Sequence, residues 1–200
     1  MPRVVDSVSK RSEFVDASLD VIAREGLGAA TLRRIAAEAG CTTGSVTHYF
    51  SGRDVLLVEA LRSAHYAAAF RMTQAAAAAG SDAARLEAVV LESLPLDAVR
   101  LREWKVWQGF WSATSASGDL AAENARRYRE WRDLLETLVA PFRRDPDEMR
   151  REASLLMAVV DGLGLRLALT KEIGDGLAVA QAQATADIGA YLSRLIAGGR

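Results

Sequence analysis

The sequence predicts an all-α protein of about nine helices. Alanine is abundant and alternating β-branched stretches are scarce. Glycine or proline falls at regular breaks between segments of helical apolar period. Half of the 200 residues are hydrophobic and 26% are charged, a globular composition, and the charges are spread along helix faces rather than gathered.

The elements follow in order. The first helix spans Ser9 to Glu25, with Val15, Leu19 and Ile22 on one face, and Gly26 is placed to close it. Thr31 caps a short second helix, Leu32 to Ala39, which Gly40 ends. Thr42 caps a third, Thr43 to Phe50. Ser51-Gly52 breaks the chain, and a long fourth helix runs from Arg53 to Ala79. Ser81-Asp82 starts a fifth helix that Pro95 ends. Asp97 starts an aromatic sixth, which stops near Ser117-Gly118, and Asp119 starts a seventh that stops at Pro141. Asp145-Pro146 opens the eighth: an N-cap followed by proline at the first helical position, where its missing N–H costs nothing. Gly174 to Gly176 separates it from the ninth, Leu177 to Ala197. No internal repeat is present.

Composition narrows the function classes. The net charge is −1, so no global basic field points to nucleic acid. Cys41 is the single cysteine, which excludes an intramolecular disulfide and fits a reducing compartment. The N-terminus lacks an apolar core of signal-peptide length. The most apolar run, Leu155 to Leu169, is interrupted by Asp161 and Arg166 and is too short to span a bilayer. A soluble, cytoplasmic protein with no membrane partner is expected.

The stretch LRRIAAEAGCTTGSVTHYF, Leu32 to Phe50, carries the functional signal. Two short helices crossing steeply need a small residue at the crossing, a glycine in the turn and a branched apolar residue facing back. Ala36, Gly40 and Val46 supply these, and Ile35 and Tyr49 fill the other inward positions. Val46 and Phe50 face inward at i, i+4, which leaves Thr43, Gly44, Ser45, Thr47 and His48 outward. Small hydroxyl residues beside the capping Thr42 suit entry into a major groove, and Gly44 permits close approach of the DNA backbone. A helix-turn-helix that binds double-stranded DNA is therefore predicted.

The segment from Glu13 to Leu61 resembles the N-terminal domain of the tetracycline-repressor (TetR) family of bacterial transcription regulators. The matching pieces are Glu25-Gly26-Leu27, Thr31-Leu32-Arg33, Ile35-Ala36 with Ala39-Gly40, the Gly44 position, Tyr49-Phe50, and Arg53 where the family usually has Lys. The resemblance implies that Thr31, Arg33, Thr43, Tyr49 and Arg53 fall on DNA-contact positions. Thr43 departs from the pattern, since many members carry Lys there. In the C-terminal half, Trp107 with Phe110-Trp111, Tyr128 with Trp131, and Val160-Asp161-Gly162-Leu163 with Arg166 resemble the subset that includes choline-responsive repressors of betaine synthesis. The implied organisation is a DNA-binding domain over residues 1–52, a connecting helix over 53–79, and an effector-binding and dimerisation domain over 80–200. The implied function is a ligand-responsive repressor that binds a pseudo-palindromic operator as a homodimer and is released by a small molecule. An all-α small-molecule binder or enzyme with a vestigial helix-turn-helix is the alternative.

Little supports the enzyme. There are two histidines, His48 and His65, and no HxxxH, CxxC or P-loop motif, so no catalytic residue, metal or cofactor is expected. Gly162, Gly164, Gly174 and Gly176 read as packing or turn glycines.

All four tryptophans lie between Trp104 and Trp131. Trp104, Trp107 and Trp111 recur on one face of the sixth helix with Phe110 beside them, and Tyr128 and Trp131 follow on the seventh. These rings are either an aromatic core or, with Asp161 as the nearest acid, the lining of a site for a cationic or aromatic effector. On the last two helices Leu156, Val159, Leu163, Leu167 and Thr170 form one stripe. Leu177, Ala180, Ala184, Ile188, Tyr191 and Leu195 form another. In the resembled family the last two helices pair with their copies, which makes these stripes the expected dimer interface, with Ala158, Gly162, Ala180 and Ala184 permitting close approach.

Overall fold

The computed structural model describes residues 3–112, 118–169 and 175–198, and all regular structure among them is helical. The order is α1 (Arg3–Glu25), a 3-10 turn (Leu27–Ala29), α2 (Leu32–Glu38), α3 (Thr43–Tyr49), α4 (Arg53–Ala78), α5 (Asp82–Ser93) and α6 (Ala98–Ser112). Then come α7 (Gly118–Val139), a second 3-10 turn (Ala140–Phe142), α8 (Pro146–Leu169) and α9 (Asp175–Ala197). Ser117, Thr170 and Gly174, named above, lie outside the described residues. The helix starts follow the cap chemistry. Thr31 accepts from the backbone N–H of Arg34, Thr42 from that of Ser45 and Ser81 from that of Ala84, each at 3.2 Å. Asp145 accepts from the N–H of Asp147 at 2.9 Å. Each bond satisfies an N–H that the first helical turn leaves without a carbonyl. Gly26 and Gly40 take positive φ, 83° and 63°, where a side chain would be strained.

The chain divides into two compact units: Met1–Ala67 with Lys105–Ala125, and Ala68–Trp104 with Arg126–Arg200. In the first, α1 buries Phe14, Val15, Leu19, Val21 and Ile22 against Ile35, Val46, Phe50, Leu56, Leu57 and Leu61, and Val106 and Phe110 of α6 join this core. Gly109 lets α6 lie close to α1: a methyl there would meet Ile22 Cγ2 at 3.1 Å and Leu27 Cβ at 3.4 Å. Residues 105–112, which the sequence assigns to the effector domain, thus pack with the helix-turn-helix core.

In the second unit, Leu86, Val89 and Val90 of α5, Leu135, Leu138 and Val139 of α7, and the inner faces of α8 and α9 are buried. Arg71 of α4 grips Glu103 of α6 through two bonds, 2.8 and 2.6 Å, and approaches Glu92 of α5 at 3.4 Å. This is the paired, hydrogen-bonded arrangement that a half-buried charge requires.

Two expectations change here. Leu156, Leu163, Leu167, Ala184, Ile188 and Leu195 are buried within one protomer, so they are the core of the α8–α9 pair and not a free interface. Val159 is half-buried. Tyr191 is half-buried with its hydroxyl donating to Glu152 at 2.9 Å. The face left open carries Leu155, Ala158, Gly162, Leu165 and Leu169 on α8, and Val179, Ala182, Ala186 and Ala190 on α9. Second, Trp104 and Phe110 are core residues. Phe110 is fully buried in the first unit. Trp104 is buried in the second, with its Nε1–H donating to the Ser93 carbonyl at 2.8 Å and its ring seated on Gly164. Gly164→Ala would drive a methyl into that indole, whose nitrogen is already tied. The substitution is expected to cost about 1–3 kcal/mol, read as a lowered thermal midpoint.

Candidate nucleic-acid interface and effector site

The reading surface is built on α3. Val46 is fully buried beneath it, and Ile35 and Ala36 of α2 are buried opposite. The Cys41 N–H donates to the Ala36 carbonyl at 2.8 Å and fixes the turn. Thr42, Thr43, Gly44, Thr47 and His48 are exposed, while Ser45 and Tyr49 are half-buried. Some of these hydroxyls already have partners: Thr42 and Ser45 cap the helix together at 3.1 Å, and Thr47 donates to the Gly44 carbonyl at 3.1 Å. Each hydroxyl oxygen keeps acceptor capacity beyond these bonds, which a base donor can use without breaking the helix. Thr31 is exposed at the start of α2.

The cations differ in availability. Arg33 is exposed and forms no ion pair among the described residues, so it can meet a phosphate with nothing to give up. Its neighbour Arg34 is committed to Glu25 and Glu38, which belong to a surface network that Arg24 completes. Arg53 turns back into the protein. Its Nε–H donates to the Ala30 carbonyl at 2.8 Å and its Nη2–H to the Leu27 carbonyl at 2.7 Å. The position expected to contact DNA thus also fastens the start of α4 to the turn before α2.

In the second unit, α7 and α8 bring Tyr128 and Asp161 together, and the Tyr128 hydroxyl donates to Asp161 Oδ2. Burial pushes the Asp161 carboxyl above its ordinary value, while the tyrosine bond works the other way. Burial, with the bond to Asp161 second, raises the Tyr128 hydroxyl as well. No Lys, Arg or His pairs with Asp161 among the described residues. Trp131 is half-buried three residues after Tyr128, and so lies on the same side of α7. Trp107 and Trp111, both half-buried, belong to the first unit, where Trp107 meets the His65 ring edge-on at 6.3 Å. No cluster of His, Cys, Asp or Glu among the described residues could hold a metal ion, and no described helix is long and apolar enough to cross a membrane.

Comparison with known proteins agrees with this architecture. Residues 14–60 match the family described as bacterial regulatory proteins, tetR family. Residues 82–197 match the BetI-type transcriptional repressor C-terminal family. The HTH-type transcriptional regulator BetI of Serratia proteamaculans is 32% identical over 190 residues, 93% of this chain and 92% of that protein. The chain belongs to the TetR family, with a BetI-type C-terminal domain. Among solved structures, a transcriptional regulator from Rhodococcus sp. Rha1 is 29% identical with a TM-score of 0.78, over 92% of this chain and 96% of that one. A putative transcriptional regulator from Saccharomonospora viridis, solved in complex with choline, shares the fold at 22% identity and a TM-score of 0.78, over 91% and 96%. This TetR-family protein is a DNA-binding transcriptional regulator.

Sequence reasoning missed three residues that hold the TetR-type reading helix. Arg11 of α1 donates to the Tyr49 carbonyl at 2.6 Å, lies 4.4 Å from the centre of the Phe50 ring and pairs with Glu59 of α4. Phe14 packs against both Tyr49 and Phe50, at 5.8 and 6.4 Å between ring centres. No local pattern connects Arg11 to residues 38 and 48 positions away.

The Asp161 shift fixes the sign of a pH effect. A carboxyl held above its unfolded-state value binds its proton more tightly in the folded protein, so its ionisation lowers stability as pH rises from about 4 through the folded value. Asp161→Asn removes that penalty. In denaturant titrations the variant is therefore expected to gain on the unmodified protein between pH 4 and pH 7.5, and a gap that stays constant with pH would show Asp161 to be unperturbed.

Proposed function

We propose that this regulator is a homodimeric repressor that reads its operator with α3 and releases it on binding a cationic small molecule at Asp161. The observation that carries the effector class is the Asp161–Tyr128 pair: a half-buried carboxylate with a tyrosine hydroxyl and, among the described residues, no cation of its own. An incoming ammonium would supply the missing charge, and a quaternary ammonium would add attraction to the Tyr128 and Trp131 ring faces. Choline in the Saccharomonospora viridis neighbour is a ligand of that chemistry. Binding would act by favouring a conformation in which the two reading heads no longer match the operator. Residues 1–52 would serve DNA, 53–79 connect, and 80–200 serve effector and assembly, all in the cytoplasm where the operator lies.

The test of the effector is a tryptophan-fluorescence titration with choline, a tetraalkylammonium and an uncharged isostere. The ammonium ligands are expected to bind and to weaken DNA retention. Asp161→Asn should lower affinity at least tenfold and Tyr128→Phe less, with DNA binding in the absence of ligand unchanged. Equal binding of the uncharged isostere would reduce the site to a simple apolar pocket.

For assembly, the exposed α8–α9 face of leucines, alanines and Gly162 is the surface on which a second copy would pack, because small residues allow two helix pairs to approach closely. Ala186→Glu on this face is expected to yield a folded monomer by light scattering. Ile188→Asp, fully buried in the protomer, should unfold the chain. A dimer that survives the glutamate would place the interface elsewhere. In the dimer the two reading helices would address half-sites about 34–36 Å apart, or somewhat more.

A further inference from the structure

α3 has seven residues, too few for a helix to hold its own shape or direction in water. Its N-terminal end is fixed by the Thr42 cap and its inner face by Val46. Its C-terminal end bears Tyr49 and His48, whose rings meet edge-to-face at 5.1 Å, and leaves the last carbonyls without helical partners. Arg11 is the side chain that meets this end. One guanidinium nitrogen takes the Tyr49 carbonyl, the plane lies over Phe50, and another nitrogen pairs with Glu59. A single planar group thus joins three helices, α1, α3 and α4, at the exit of α3, where a positive charge also complements the helix dipole.

We propose that Arg11 is a positioning residue for DNA recognition: it sets the direction of α3 through the Tyr49 carbonyl, with Glu59 holding the guanidinium in the protein and off the phosphates. The inference rests on α3 as the reading helix. It differs from the role expected of Arg33, an arginine with no ion pair among the described residues. The half-exposed Arg11 would be an obvious phosphate ligand on charge alone, and its commitment to one carbonyl, one ring and one carboxylate is what argues against that.

The probe is a duplex that the unmodified protein selects from a random-sequence library, with affinity measured over a range of salt and folding checked by circular dichroism at the assay temperature. Arg11→Gln is expected to weaken binding at least tenfold while leaving the slope of log affinity against log salt unchanged, since no phosphate contact is lost. Arg11→Lys should show a similar loss, because an ammonium keeps the charge but cannot bridge three groups. Glu59→Gln removes a negative charge from a DNA-binding unit, so electrostatics alone predicts tighter binding; the clamp predicts binding several-fold weaker. A slope shallower by about 0.9 in Arg11→Gln would make Arg11 a phosphate contact and overturn the proposal. Full affinity in Arg11→Lys, or tighter binding in Glu59→Gln, would do the same. If Arg11→Gln unfolds, Arg11→Lys and Glu59→Gln decide. Failure of the unmodified protein to enrich any duplex would remove the reading helix itself, an outcome separate from any effect of the variants.

Discussion

A seven-residue helix has to be held by its neighbours, and that constraint organises the first unit. α2 and α3 are both this short, so neither can be stable from its own hydrogen bonds. The long α1 and α4 supply the missing order. Phe14, Ile22, Leu56 and Leu57 form a fully enclosed floor on which Ile35 and Val46 are seated. Polar groups then set the direction that apolar burial leaves free: Thr31 and Thr42 at the helix starts, Arg53 on the turn before α2, and Arg11 at the exit of α3. Burial gives the unit its stability, and these directional bonds give α3 one orientation. A base-reading surface needs the second as much as the first.

The same economy explains how a nearly neutral protein can serve DNA. A repressor does not need a basic field if a few cations stand ready and the rest are occupied. Arg34 and Arg24 are absorbed by Glu25 and Glu38, Arg11 by Glu59, and Lys10 by Glu13. Arg33 keeps its charge outward. Exposed ion pairs such as these add little stability. Their larger effect is to lower the non-specific attraction to phosphate, which in turn raises the share of binding that must come from base contacts.

The fold was legible because its signals are local. Caps at Thr31, Thr42, Ser81 and Asp145-Pro146, and turns at Gly26 and Gly40, depend on residues within four positions of each other, and the structure makes these bonds. Most helix ends move by one or two residues, α1 begins six residues earlier than the apolar pattern suggests, and the stop expected for the sixth helix near Ser117 falls outside the described residues. The exposure of Thr42, Thr43, Gly44, Thr47 and His48 on α3 and its cap was legible for the same reason. The face proposed here for the dimer was not. Helical period identifies the most apolar stripe, and on α8 and α9 that stripe, with Leu156, Leu167 and Ile188, is the protomer's own core. The face turned outward is built of Leu155, Leu165, Ala182 and Ala186, which a hydrophobic scale ranks second. The tryptophans misled in a related way. Trp104 and Trp107 are three residues apart on α6, yet the first belongs to one unit and the second to the other, a distinction that spacing along a helix cannot make.

α8 shows how little separates a structural position from a functional one. Gly164 is small because the Trp104 ring lies on it. Gly162, two residues earlier, faces open space on the surface proposed to receive a second copy. Asp161, one residue earlier still, is neither fully enclosed nor properly paired. A carboxylate in that setting costs folding free energy that an alanine or a serine would not. An unliganded protein gains nothing from keeping it. A protein whose working state includes a bound cation does, because the ion that compensates the carboxylate also contributes its binding energy only to the conformation that presents the carboxylate. On the proposed reading, the destabilisation at Asp161 and the response to an effector would be one property, seen without and with the ligand.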